Sequence, residues 1–308
     1  GLYKGKVGAS VKVNADINSF IKFRENIETL IVDTKKWVKQ KSINESSIRL
    51  DKLRKLLFDL NNMAANDVQK KAVLRLKQDI DFLDIQVENI YSKRESGKKQ
   101  DGNIAFKCNW NDKYYRAPCS EAAYNSNLIE GRAWCSHKLS KCRTYTHEVT
   151  LDNNPCYESI ALKEMFFGAG WDINGDKIKY RQIHSVKSNR LAILTTRRPY
   201  TDEKDRMIVG ILYINQVKDD DNTETKIFGD KEKSIAIDYD KINIRFWDYY
   251  KNPNAEDSIF WGTGLFRYIS NGTVLSMLQD INKIFNDIGM DTTIINKLLI
   301  HYEQLNAS

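Results

Sequence analysis

Proline is scarce in this chain: four among 308 residues, none before Pro118. Nothing forces a helix to break in the first third. Long apolar runs are also missing, and none approaches the ~20 residues that a membrane-spanning helix needs. The opening GLYKGKVGAS holds no apolar signal core. A soluble, cytoplasmic protein with no membrane partner is expected. No P-loop, GxGxxG or HExxH occurs, which disfavours a P-loop ATPase, a dinucleotide enzyme and a zincin. The five cysteines, an odd number, lie between Cys108 and Cys156 without a CxxC pair. In a chain this long they read as reduced thiols or a metal site, not as a disulfide framework.

The formal charge of +7 is unevenly spread. Residues 1–100 carry about 21 Lys and Arg against about 13 Asp and Glu, whereas residues 158–308 come to about −2. A basic first third attracts polyanions such as nucleic acid, an acidic protein or an acidic membrane surface. A solvated helical surface is the plain alternative.

Residues 15–92 have helical periodicity. Ile17, Phe20, Ile27 and Ile31 form one stripe, and Leu53, Leu56, Leu57 and Leu60 a second. Val73, Leu76, Ile80, Leu83, Val87 and Ile90 form a third, in steps of three and four. Three such helices make an antiparallel bundle, or a coiled-coil arm that pairs two chains into a homo-oligomer. SKRESGKKQDGN (92–103) reads as a linker.

Residues 104–157 bring cysteines, aromatics and asparagines without regular period. Cys108, Cys119, Cys135 and Cys142, with His137 between the last two, could supply the four soft ligands of a structural zinc. Buried, reduced thiols are the alternative, and a nucleophilic or redox cysteine is a third reading. Arg132 and Arg143 are candidate phosphate contacts among nearby aromatics, while Trp110 and Trp134 suit a small core over the cysteines.

Strands follow. LAILTT, MIVGILYIN, TKIFG, SIAID and INIRFW are rich in β-branched and aromatic residues. YESIALKEMFFGAGW before them reads as a helix ending near Gly168. Two closing helices end the chain, the first capped by Thr273. The fold class expected is α+β: residues 1–100 helical, 101–157 cysteine-rich, and 158–308 a small barrel with closing helices.

LAILTT, then the charged loop RRPYTDEKD, then RMIVGILYI with Gly210 at a small-residue position, together with WGTGLFRYISNGTVLSMLQDI, resemble the EVE, YTH and ASCH group of PUA-like barrels over about residues 160–290. The resemblance implies a reader that takes a modified base of DNA into an aromatic pocket. It also implies the recognition part of a restriction or defence system, beside a separate motor or nuclease subunit. On that basis Trp247 stacks on the base, Asp248 accepts at its edge, and Tyr249 and Trp261 complete the aromatic supply. Lys187, Arg190, Arg197 and Arg198 hold phosphates. In a strand INIRFW, Phe246 and Trp247 face opposite sides, one core and one available.

Two other classes stand beside the reader. A metal-dependent nuclease of the PD-(D/E)xK type would use Asp205 and Glu224 to hold Mg²⁺ and Lys226 to activate water. An interaction protein would use the helices for oligomerisation and the strand segment to bind protein.

Overall fold

The computed structural model describes residues 7–95, 100–130, 135, 142, 156–174, 177–219, 223–252, 259, 261 and 264–307. The chain is mixed α and β and divides into two compact units. One, the helical unit, comprises Gly1–Gly97 with Lys251–Thr263; the other, the sheet unit, comprises Lys98–Tyr250 with Gly264–Ser308. The described residues of the cysteine-rich segment, 101–157, group with the sheet unit and open with one of that sheet's inner strands.

The helical unit holds α1 (Val7–Lys39), α2 (Ile43–Met63) and α3 (Asp67–Glu95). Its short connections turn each helix back on the last, and the three apolar stripes meet. Phe20, Ile27 and Ile31 pack with Leu50, Leu53 and Leu60 and with Leu76, Ile80, Leu83 and Val87. Of the two arrangements open to the helices, the bundle within one chain is the one formed. At the start of α3, Asn66 accepts from the Gln69 amide at 2.9 Å, and the Gln69 side chain accepts from the Ala65 amide at 2.8 Å. That pairing is a capping box one residue out of register. Arg49 bonds Asp33 across α1 and α2 at 2.6 Å. Arg54 bonds the buried Asp84 across α2 and α3.

The sheet unit is built on β1 (Asn103–Lys107), β2 (Phe166–Gly168), β5 (Leu191–Thr196), β6 (Met207–Lys218), β7 (Lys226–Gly229), β8 (Ile235–Ala236) and β9 (Phe266–Ile269). A separate hairpin is made of β3 (Trp171–Asn174) and β4 (Lys177–Tyr180). The main sheet runs β2-β7-β6-β5-β1-β9, with β8 also on β6. Only β1 and β5 run parallel. Because β2 and β9 stand at opposite ends of the path, the sheet is open, and the expected closed barrel is not formed.

Every residue of β5 is buried, as both faces of this strand are covered. Ala192 and Leu194 join Ile104, Phe106, Val209 and Leu212 in the main core. Two closing helices follow, α6 (Asn271–Asp287) and α7 (Thr293–Ala307). Tyr302 of α7 donates to Asn103 at the start of β1, and the Asn103 amide donates to Asn271 at 2.8 Å.

Three local readings change. The segment before β2 is a 3-10 turn (Glu158–Ile160) and the one-turn helix α5 (Ala161–Glu164). It stops at Met165 in left-handed backbone (φ 50°), and Phe166–Gly168 is strand. The cap of α6 is Ser270, whose hydroxyl accepts from the Thr273 amide at 3.0 Å, so Thr273 is the capped residue. INIRFW alternates as expected, with Ile242, Ile244 and Phe246 buried. It nevertheless makes only a bridge from Arg245 to Met207 before a 3-10 turn (Phe246–Asp248). Phe246 is core, and Trp247 sits in the turn instead of on an opposite strand face.

Gly210 of β6 lies against α5. A Cβ there would stand 2.4 Å from Leu162 Cδ2, and Leu162 is itself buried. Gly210→Ala should therefore cost about 1–3 kcal/mol in urea unfolding. Pairing it with Leu162→Ala should recover part of the loss. Strictly additive losses would show that the close approach is not the cause.

Candidate functional site

The residues expected to form a base pocket each have a place of their own. Trp247 is half-buried, and its indole donates to Glu203 at 3.3 Å. Asp248 is paired with Arg245 at 3.0 Å. The Tyr249 hydroxyl is held protonated by burial and by Asp280 beside it. Trp261 is buried and groups with the helical unit, whereas Trp247 belongs to the sheet unit.

The expected phosphate ligands also have other partners. Arg197 reaches Glu130 at 3.6 Å and Glu203 at 4.0 Å. Arg198 bonds Asp240 at 2.7 Å and lies over the rings of Trp110 and Tyr239. Lys187 and Arg190 donate to the carbonyls of Gln100 and Asp101, at 3.5 and 2.9 Å. Arg132, Arg143, Trp134 and His137 lie outside the described residues.

The nuclease constellation is likewise split. Asp205 closes a 3-10 turn just before β6, while Lys226 pairs with Lys218 at the far end of that strand. Twelve residues of strand separate them, up to about 40 Å along the strand at ~3.3 Å per residue. Glu224 is buried, and its carboxylate accepts from the Tyr157 hydroxyl at 2.5 Å and from the Gly170 amide. Asp205 and Glu224 cannot share a metal in this arrangement.

The loop after β5 folds inward. Arg206 is fully buried and bonds Glu203 at 2.5 and 3.0 Å. Burial pulls the Glu203 carboxyl up, but Arg206, helped by Arg197 and Lys107, outweighs it and holds the group at about 2. The loop is therefore a charged clamp across the ends of β5 and β6.

What the sheet unit does assemble is a cavity. Past β1 the chain turns under Asn111, whose side chain accepts from the amides of Lys113 at 2.7 Å and Tyr115 at 3.3 Å. Tyr114 and Tyr115 both take left-handed backbone there (φ 55° and 56°), a strained pair. The turn buries Tyr115 and stacks Tyr114 on Tyr239, with centroids 4.8 Å apart. Ser120 then caps α4 (Glu121–Ile129) by accepting from the Ala123 amide at 3.2 Å. Asn127 of α4 returns to Trp110, accepting from its amide at 3.1 Å and donating to its carbonyl at 2.8 Å. Glu158 accepts from the Asn109 amide at 2.8 Å.

These groups enclose about 150 Å³, and Cys119, Cys135, Cys142 and Cys156 all line the space. Trp110 forms part of the wall and belongs at the same time to the main core. The Cys119 thiol donates to the Trp110 carbonyl at 3.5 Å. Cys156 shares a thiol hydrogen bond with Cys142.

Cys108 lies elsewhere. Its amide donates to Thr195 at 2.8 Å, extending β1 against β5, and its side chain is buried in the main core. Cys156 thus stands where the sequence reading put Cys108. No family model, curated protein or solved structure matches this chain.

Cys119 and Cys156 are poor nucleophiles as they stand. Burial, with Glu158 and Cys142 nearby, pushes Cys119 up to about 12. The bond to Cys142 and burial raise Cys156 well above the ordinary thiol range. Attack by a thiolate at neutral pH has no support in this geometry. Among the described residues, no group of three or more His, Cys, Asp and Glu side chains stands ready to hold a metal.

Sequence reasoning missed Cys156, Glu158, Asn109 and Asn127. Five cysteines without a CxxC pair give no rule for choosing four. The usable signal was Cys108 itself, which follows NIAFK directly and so continues a buried strand.

Proposed function

We propose that the protein binds nucleic acid through its backbone phosphates, with the helical unit supplying the charge. The observation that carries this reading is the cluster of exposed Lys35, Lys36, Lys39 and Lys41 at the end of α1. Four acids of the same unit are engaged by arginine: Asp33 and Glu45 bond Arg49, and Asp51 and the buried Asp84 bond Arg54. Lys41 takes left-handed backbone (φ 56°), a position that glycine would fill at lower cost. The PUA-like barrel, base flipping and a restriction role rest on the resemblance alone, and the phosphate contacts do not need them.

The test is fluorescence anisotropy of the full chain with short duplexes, unmodified or carrying modified cytosine or adenine, across a salt series. Binding should weaken steeply with salt and be equal for all duplexes. Replacing the four lysines by glutamine should lower the salt slope by about 3–4, each phosphate contact contributing ~0.9. Affinity at low salt should fall by more than tenfold, on the order of 1 kcal/mol or more. Such surface changes should leave stability within about 0.5 kcal/mol. Salt-independent binding, or binding indifferent to the four substitutions, would sink the reading. Preference for one modified duplex would return the reader to first place.

A further inference from the structure

We infer that the sheet unit holds a structural zinc ion on Cys119, Cys135, Cys142 and Cys156, with Cys108 excluded. Four of the chain's five cysteines line one small cavity, and they reach it from separate stretches of sequence. Cys119 precedes α4, Cys135 and Cys142 follow it, and Cys156 precedes the Glu158–Ile160 turn. Independent placement of four thiols in one space of about 150 Å³ is not what core packing alone asks for. The main core takes Cys108 among Ile, Leu, Val, Ala and aromatic side chains, and Cys119 packs against its edge.

Composition supplies the second argument. GRAWCSHKLSKCRTYTHEVTLDNNP, residues 131–155, offers few apolar side chains for its length. A composition of that kind gains little from apolar burial, and a metal crosslink compensates for it in small modules. Zinc suits the donors: it prefers soft sulfur, has no redox chemistry and accepts four thiolates in a tetrahedron.

The sulfurs are not yet at ligating positions, so binding draws them inward. As the Zn–S bonds form, each thiol gives its proton to solvent. The thiol hydrogen bond between Cys142 and Cys156 is replaced by a Zn–S bond from each sulfur to the same ion.

The experiment uses the full chain, purified under reducing conditions, with its metal content measured directly. Chelator-stripped protein is then titrated with zinc against a chromophoric competitor, and with cobalt(II) as a spectroscopic stand-in. One zinc per chain is expected, with intense tetrahedral thiolate bands for cobalt. Cys108→Ala should keep the metal. Cys119→Ser and Cys156→Ser should weaken it by more than about 100-fold, since even loss of a group behind a ligand costs 10–100-fold.

Should the serine variants fail to fold, the cobalt spectrum of the unaltered chain still decides, because four-sulfur coordination is read there directly. Three results overturn the inference: stripped protein that ignores zinc while its thiols titrate freely, native disulfides among these four cysteines, or iron and sulfide in the purified protein. Metal kept by Cys156→Ser and lost by Cys108→Ala would overturn the ligand set.

Discussion

Glu203→Gln should be among the most damaging single substitutions in the sheet unit, with a loss of about 3–5 kcal/mol. The cause is what it leaves behind. Arg206 has no exposed side-chain surface, and Glu203 is its close carboxylate partner. Glutamine can still accept from Trp247 but cannot balance a buried guanidinium. Urea unfolding of the sheet unit should show the loss as a lower midpoint. Replacing Glu203 and Arg206 together by apolar residues of similar volume should recover much of it.

The same pair sets an acid limb. The folded-state value of Glu203, about 2, lies below its ordinary 4.5. Its contribution is therefore complete above about pH 5 and is lost as pH falls through 4.5 towards 2, where the folded carboxylate takes up its proton. Glu203→Gln should flatten the stability profile over that window. An unchanged midpoint, or an unchanged acid limb, would rule out the clamp.

Phe106→Ala should cost a similar 3–5 kcal/mol. Phe106 is fully buried on β1, stacked on Phe167 with centroids 4.3 Å apart and edge-on to Phe266 at 6.4 Å. One ring thus joins β1 to β2 and β9 through the core. Phe106→Leu keeps most of the volume and should lose clearly less. A loss under about 1 kcal/mol for the alanine variant would mean that the core refills the space, contrary to its close packing.

That strand marks the limit of what could be read from residues alone. The helices were legible because apolar steps of three and four persist for several turns, and local spacing decides a helix. LAILTT, MIVGILYIN and TKIFG were legible because their composition favours a pleated, buried surface. NIAFK is five residues long and follows a charged linker, and all but its last residue are buried, so no polar alternation marks it. Its partners begin at Leu191 and Phe266, far along the chain. Closure of the sheet was equally invisible, since strand count says nothing about which strands become edges.

At the site, the cysteines were legible as a group, but their division was not. It depends on Cys108 continuing β1 inward while Cys156 arrives just before the Glu158–Ile160 turn. Trp247 misled for a related reason. INIRFW has the composition of a strand, and its alternation is real up to Phe246, but the backbone then turns and delivers the indole to Glu203. A sequence pattern reports which side chains are buried, not which acid on another loop will claim them.

The position of β1 between β5 and β9 has a consequence for synthesis on the ribosome. The apolar cluster of α1, α2 and α3 uses residues 20–90, so it can form once α3 leaves the exit tunnel, with Lys251–Thr263 joining the unit later. The sheet cannot follow in the same way. β1 must wait for Leu191 before it pairs on one side and for Phe266 before it pairs on the other. Over that interval the nascent chain carries a strand with open hydrogen-bonding edges, the form most prone to pair with a neighbour. A chaperone or the growing chain's own α4 segment has the whole of that interval to guard, and truncation before residue 266 leaves the edge permanently open.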